Sequence, residues 1–267
     1  MKHNVQIVLI LLALFLCAQV IGLFVTNKYL VKNLPFNLER PQLNEKTSFI
    51  QIFIIIIIAT ALAFVLTRLK AFVLWKIWFF LGVCFTLLIS FTVIFGEKIA
   101  LVIAIILAAL KIFKPNVIIH NFTELFIYGG LAAVFVPIMN LFSISILLIL
   151  ISIYDAIAVW KTKHMVKLAK FQTKLKLFIG FLIPYDKKSK AVLGGGDIGF
   201  PLLFAGVILK NFGFIKALII PVCVSMSLLF LLMIGKKDRF YPAMPFLSVG
   251  CFLGYGVILL INLIPSL

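Results

Sequence analysis

Residues 193–209 read LGGGDIGFPLLFAGVIL, an apolar run of spanning length that opens on Gly194-Gly195-Gly196-Asp197. A second apolar run, 141–160, carries Tyr154-Asp155 towards its end. A charged side chain at the middle of a bilayer costs about 2.5–3.5 kcal/mol on insertion scales, so an acid inside a span is a functional-site hypothesis by default. Two such acids, separated by a lysine-rich stretch, suggest one site.

The composition makes the rest of the chain a membrane scaffold for that pair. Hydrophobic residues are 64% of the 267 and the mean hydropathy is +1.24, against roughly 45–50% apolar residues in a soluble domain. The expected fold is all-α, a polytopic membrane protein of nine transmembrane helices. Spans are expected near 5–25, 49–66, 77–95, 99–113, 121–136, 141–160, 193–209, 215–234 and 246–264. No polar block is long enough to bury a core of its own, so 1–267 reads as a single membrane domain. The run Val5–Val25 exceeds the ~7–15 apolar residues of a signal peptide and reads as a retained first span. Residues Asn27 to Lys46 hold Pro35, Pro41, Asn33 and Asn37 and read as a loop. Gly129-Gly130 would allow close helix contact.

The net charge of +17 comes from 25 Lys and Arg against 8 acids. These cations read as residues of the segments between apolar runs, where they set topology and meet anionic lipid head groups. No basic stripe interleaved with aromatics is present, so nucleic acid is not an expected partner. With the N-terminus inside, 18 cations fall on the cytoplasmic side and 7 on the other. The expected location is therefore the cell membrane, with the N-terminus and the 161–192 loop cytoplasmic and the C-terminus outside. In that loop, Lys174 to Phe178 alternates polar and apolar and could form a short strand or a surface-lying piece.

Cys17, Cys84, Cys223 and Cys251 lie in apolar runs and read as small hydrophobes, with no disulfide expected. His3, His120 and His164 are far apart and read as lying outside the spans, and H-E-x-x-H is absent, so neither metal nor cofactor is expected. Glu39, Glu45, Glu97, Glu124, Asp186 and Asp238 read as loop or segment-end residues, leaving Asp155 and Asp197 as the acids within spans. No Lys or Arg is expected inside a span to neutralise either one. At about 1.5 Å per residue, Asp155 lies roughly 7.5 Å before Trp160 and Asp197 roughly 6 Å after Leu193. Antiparallel neighbouring helices would bring both carboxyls to one depth near the cytoplasmic face. Two close carboxylates in a low dielectric cannot both ionise easily, so one holds a proton while the other is free to take one from water. The three glycines cost a helix about 1 kcal/mol each relative to Ala and clear the way for an extended backbone. A proton relay or ion-coupled transporter would also use paired intramembrane acids.

These residues resemble the presenilin and signal-peptide-peptidase family of GxGD intramembrane aspartyl proteases, most closely its short prokaryotic members. The family's Y-D appears as Tyr154-Asp155, its G-x-G-D as Gly194 to Asp197, and its P-A-L as Pro242-Ala243-Met244, with Met in place of Leu. The resemblance implies that Asp155 and Asp197 are the catalytic dyad. Tyr154, Leu193, Gly194, Gly195, Gly196, Pro242, Ala243 and Met244 would shape the substrate site. It implies an intramembrane aspartic endopeptidase that cleaves transmembrane helices of single-span proteins. The nine-lysine loop places the chain in the presenilin sense, with substrate N-termini outside, and with no soluble domain expected, obligate protein partners are not indicated. Prepilin peptidases share a G-x-G-D aspartate and lack the other landmarks. Lys190 to Leu193, ahead of the glycines, would offer a strand edge to an unwound substrate.

Overall fold

The computed structural model describes residues 5–69, 71–161, 178–185, 190–235 and 241–263. The lysine-rich segment 162–177 lies outside them, and with it residues 174–177 of the strand expected there. Nine long helices are present among the described residues. They are α1 (Val5–Tyr29), α2 (Ser48–Arg68), α3 (Phe72–Phe95), α4 (Glu97–Phe113), α5 (Val117–Phe135), α6 (Leu141–Ala156), α7 (Gly195–Phe212), α8 (Ile219–Ile234) and α9 (Met244–Leu263). A single helical turn, Phe214–Ala217, leads into α8. Seven helical segments are long and apolar enough to cross a membrane, α6 and α8 together with the turns that adjoin them; α4, of 17 residues, and α7, of 18, are not among the seven.

Local chemistry sets several of the helix ends. The Asn116 side chain accepts the Ile118 N–H at 2.8 Å and starts α5 four residues earlier than hydropathy suggests. Asn140 accepts the Ser143 N–H at 2.8 Å and starts α6. Both fill the N-cap role that Asn favours, satisfying a helix N–H that has no partner in the first turn. The end of α6 passes into a π-helical turn, Ile157–Lys161, directly after Asp155.

Helix α7 is the centre of the bundle. Pro201 to Leu209 is buried without a break, and α7 packs against α1, α5, α6, α8 and α9. Around it, α1 lies on α5, α3 on α4 and α5, and α8 on α9. The small-residue pair works as expected from the sequence. A side chain at Gly129 would meet Val25 and the Gly22 backbone of α1, and one at Gly130 would place its Cβ 2.1 Å from the Thr86 carbonyl oxygen of α3. Helix α2 is peripheral and mostly exposed, packing chiefly on α6 and α3.

The two ends of the bundle differ in character. At one end the 30–47 segment is tied down by side chains. Arg40 Nη2 donates to the carbonyls of Tyr29 (2.7 Å) and Lys32 (3.0 Å), Lys210 pairs with Glu45 at 3.0 Å, and Glu97 accepts the Phe36 N–H. At the other end sits the only β structure among the described residues: β1 (Gly180–Pro184) paired antiparallel with β2 (Lys190–Gly194), Phe181 opposite Leu193 and Ile183 opposite Ala191.

Three readings of the sequence are corrected here. His120 does not lie outside the spans: α5 begins at Val117 and includes it. The seventh span does not begin at Leu193. Leu193 and Gly194 are strand, and the helix begins at Gly195 with Gly194 as its N-cap, so glycines open the helix instead of preventing it. Glu124 and Lys111 are not loop residues. They sit inside α5 and α4, 0% and 2% exposed, and form a 2.7 Å ion pair. Lys111 therefore drops out of the cytoplasmic charge count, which stays strongly asymmetric without it.

Candidate active site

The strand pair delivers Asp197 to the site. Gly180 has φ +127, a conformation that L side chains rarely adopt, and a Cβ there would fall 2.0 Å from the Leu193 carbonyl oxygen. Only glycine fits at that point of contact between the strands. The Gly195 N–H donates to the Ile179 carbonyl at 3.1 Å, so the ladder runs straight into the first turn of α7. Asp197 occupies the third helical position and turns back to accept the N–H of Gly194, the N-cap. This is the backward half of a capping box, with Asp in the usual Glu or Gln position. The glycines are needed for room: a Cβ at Gly194 would lie 3.0 Å from Asp197 Oδ2, and one at Gly195 would crowd Ile179.

Asp155 is delivered by α6. Its Oδ2 accepts the Met244 N–H at 3.1 Å, and its carboxyl is also hydrogen-bonded by the Ala243 backbone, so Pro242-Ala243-Met244 holds it by main chain at the head of α9. Negative charge beside free N–H groups at a helix N-terminus is favourable. Asp155 is one of the charges that act on Asp197. Both are partly buried, and no salt bridge engages either of them among the described residues. The Met244 side chain is 3% exposed within the main apolar core. The contact to Asp155 is made by its backbone, so Leu or Met at this position delivers the same N–H.

The other residues singled out from the sequence are distributed around this pair. Tyr154 shares a hydrogen bond with Thr60 of the peripheral α2. Leu193 is buried, and its main chain faces β1. Ser152, one turn before Asp155, is bonded to Ser248 of α9 at 2.8 Å and ties the two helices together. No group of three His, Cys, Asp or Glu side chains among the described residues could hold a metal ion.

A buried polar network beside Asp197 was not read from the sequence. Glu124 Oε1 accepts from Lys111, while its Oε2 accepts the Tyr128 hydroxyl and, at 3.0 Å, the Gly180 N–H. Lys111 Nζ also donates to Thr123 Oγ1 at 2.9 Å and to the His120 carbonyl. The Tyr128 hydroxyl lies where a Cβ on Gly195 would come within 3.1 Å. From α1, the fully buried Gln19 donates to the Ile198 carbonyl at 2.8 Å, one residue past Asp197. The available signal was the spacing: Asn121, Glu124 and Tyr128 fall on one face of a helix at i, i+3 and i+7.

The sequence model of the family described as signal-peptide peptidase, presenilin aspartyl protease aligns with residues 12–264, a stretch that holds both aspartates and Pro242-Ala243-Met244. The chain belongs to this family. A solved structure titled as a presenilin family intramembrane aspartate protease, in a C222 crystal form, superposes with a TM-score of 0.68 at 20% identity, covering 94% of this chain and 97% of the other. A P2 form of a presenilin family intramembrane aspartate protease gives 0.65 at 20% identity, over 92% and 95%. No curated protein sequence matches the chain. This presenilin-family chain is thus a multi-pass helical membrane protein, and its fold is shared across nearly its whole length with those structures.

Proposed function

We propose that this protein is an intramembrane aspartic endopeptidase that hydrolyses peptide bonds within the transmembrane helices of single-span proteins, with Asp155 and Asp197 as the catalytic dyad. The observation that supports the proposal is that Asp197, in the first turn after β2, feels the charge of Asp155, which is held by the backbone at the head of α9. One carboxyl, unprotonated, takes a proton from water as it attacks the scissile carbonyl. The other, protonated, donates to the carbonyl oxygen, and the proton returns to the leaving nitrogen. Asp155, held by two backbone N–H groups, is the member suited to carrying the charge.

A helical substrate has its carbonyls already bonded, so it must unwind, and its freed main chain then needs new partners. Strand β2 supplies them. Gly180 and Leu182 turn their N–H and C=O groups towards α5, so Phe181 and Ile183 make the ladder bonds to Leu193 and Ala191. By alternation, Lys190 and Val192 present theirs on the opposite edge, which leads to Asp197. Val192→Pro removes an edge donor without touching the ladder and is expected to cut reporter cleavage about tenfold or more, while leaving the melting temperature unchanged. Ala191→Pro removes a ladder donor and is expected to lower both. Full cleavage by Val192→Pro would exclude strand addition at this edge.

The cation asymmetry supports a cytoplasmic 161–192 loop and a presenilin-sense orientation, with substrates whose N-termini lie outside. A single cysteine introduced in that loop is expected to resist a membrane-impermeant thiol reagent in intact cells and to react after lysis. Labelling in intact cells would reverse the orientation and the substrate class with it.

A further inference from the structure

The polar face of α5 occupies the outer edge of β1 at Gly180 and Leu182. Asn121 is bonded to Leu182 twice, its Nδ2 donating to the carbonyl at 2.9 Å and its Oδ1 accepting the N–H at 3.0 Å, as a neighbouring strand would. Two residues along, the Gly180 N–H goes to Glu124 Oε2, and the Gly180 carbonyl accepts from His120 Nε2 at 2.8 Å. A carbonyl can only accept, so Nε2 carries the proton. Four consecutive edge groups of β1 are thereby satisfied by three side chains from the first two turns of one helix.

An isolated two-stranded pair is marginal at best in water. An unpaired strand edge would also invite the substrate to add on the wrong side, away from the aspartates. From this geometry we infer that His120, Asn121 and Glu124 act as a built-in third strand. They are positioning residues that order β1 and β2 before substrate arrives and leave β2, among the described residues, as the edge open to it. The inference deepens the protease reading above and rests on it for the identity of the substrate strand. The tether itself is observable without cleavage.

Without the tether, the substrate must order the strand pair itself, so apparent affinity falls by the fraction of time the pair is formed, while turnover at saturation is kept. Asn121→Ala removes both bonds to Leu182, and Asn121→Leu does so at nearly constant volume. The test is amide exchange over 178–185 in the full-length, substrate-free protein in detergent, together with reporter-span kinetics. The expected result for both variants is exchange faster by about tenfold or more in that segment alone, KM raised about tenfold and kcat held within about twofold. Unchanged exchange would overturn the proposal, as would a fall in kcat at constant KM. If neither variant yields folded protein, these bonds hold the bundle as a whole, and the role assigned to them is overturned as well. A wild-type protein that protects the segment and cleaves nothing would refute the protease reading and would leave the tether standing.

Discussion

Asp155→Asn and Asp197→Asn each leave a reporter span uncut, with cleavage lowered by about 10³-fold or more, since positioned acid–base groups typically contribute 10²–10⁴. Asn keeps the size of Asp and one acceptor oxygen. In Asp155→Asn that oxygen can still take the Met244 N–H, and in Asp197→Asn it can still take the N–H of Gly194. The fold should therefore survive, and an unchanged melting temperature in detergent checks this. The double variant is expected to be no worse than either single one, because residues that act as a unit are non-additive. An ion- or proton-coupled transporter makes the opposite prediction. Reconstituted protein would then carry a flux that either substitution stops, with no peptide product from the wild type. Cleavage within tenfold of wild type in either variant would remove that aspartate from the dyad.

The parts of this site legible in the sequence are those that violate a strong local rule. An aspartate in an apolar run and three glycines at the head of a span are costly unless something compensates, so Asp155, Asp197 and Gly194 to Gly196 stand out one residue at a time. The helical fold was legible for the same reason, since runs of about twenty apolar residues have few other uses. What stayed hidden depends on partners remote in sequence. Lys111 and Glu124 each lie within a turn or two of a helix end, where a charge ordinarily snorkels to water, and only the packing of α4 on α5 shows that neither does. Gly180 looks like any loop glycine until its φ of +127 and the Leu193 carbonyl beside it are known. Asn121 reads as the first residue of a span, yet its side chain does the work of a strand. The strand edge at Lys190 to Leu193 was legible, but the start of α7 was set two residues early because Leu193 is apolar and continues into the helix without a break in hydropathy, and β1 itself is recognisable only by its pairing.

Lys111→Met is expected to destabilise the protein by about 3–5 kcal/mol, the usual consequence of stripping one partner from a buried ion pair. The reason lies in what remains. Glu124 is fully buried, its Oε2 is committed to Tyr128 and Gly180, and among the described residues Lys111 is its one cationic partner. Removing Nζ also takes one donor each from Thr123 Oγ1 and the His120 carbonyl, which keep their bond to each other. The loss should appear as a thermal midpoint in detergent lower by roughly 10 °C, at about 2–4 °C per kcal/mol for a chain of this size. Added salt should not mimic it, because screening acts weakly on a pair that water does not reach. The neutral double variant Lys111→Met/Glu124→Gln separates charge from hydrogen bonding. Gln keeps an acceptor for Gly180 and Tyr128 while removing the orphaned carboxylate, so most of the lost stability should return, leaving a deficit of about 1–2 kcal/mol for the missing Lys bonds. If the double variant is as unstable as the single one, hydrogen bonds rather than the buried charge dominate at this junction. If Lys111→Met melts with the wild type, the pair is not what fastens α4 and α5 beneath the strand that leads to Asp197.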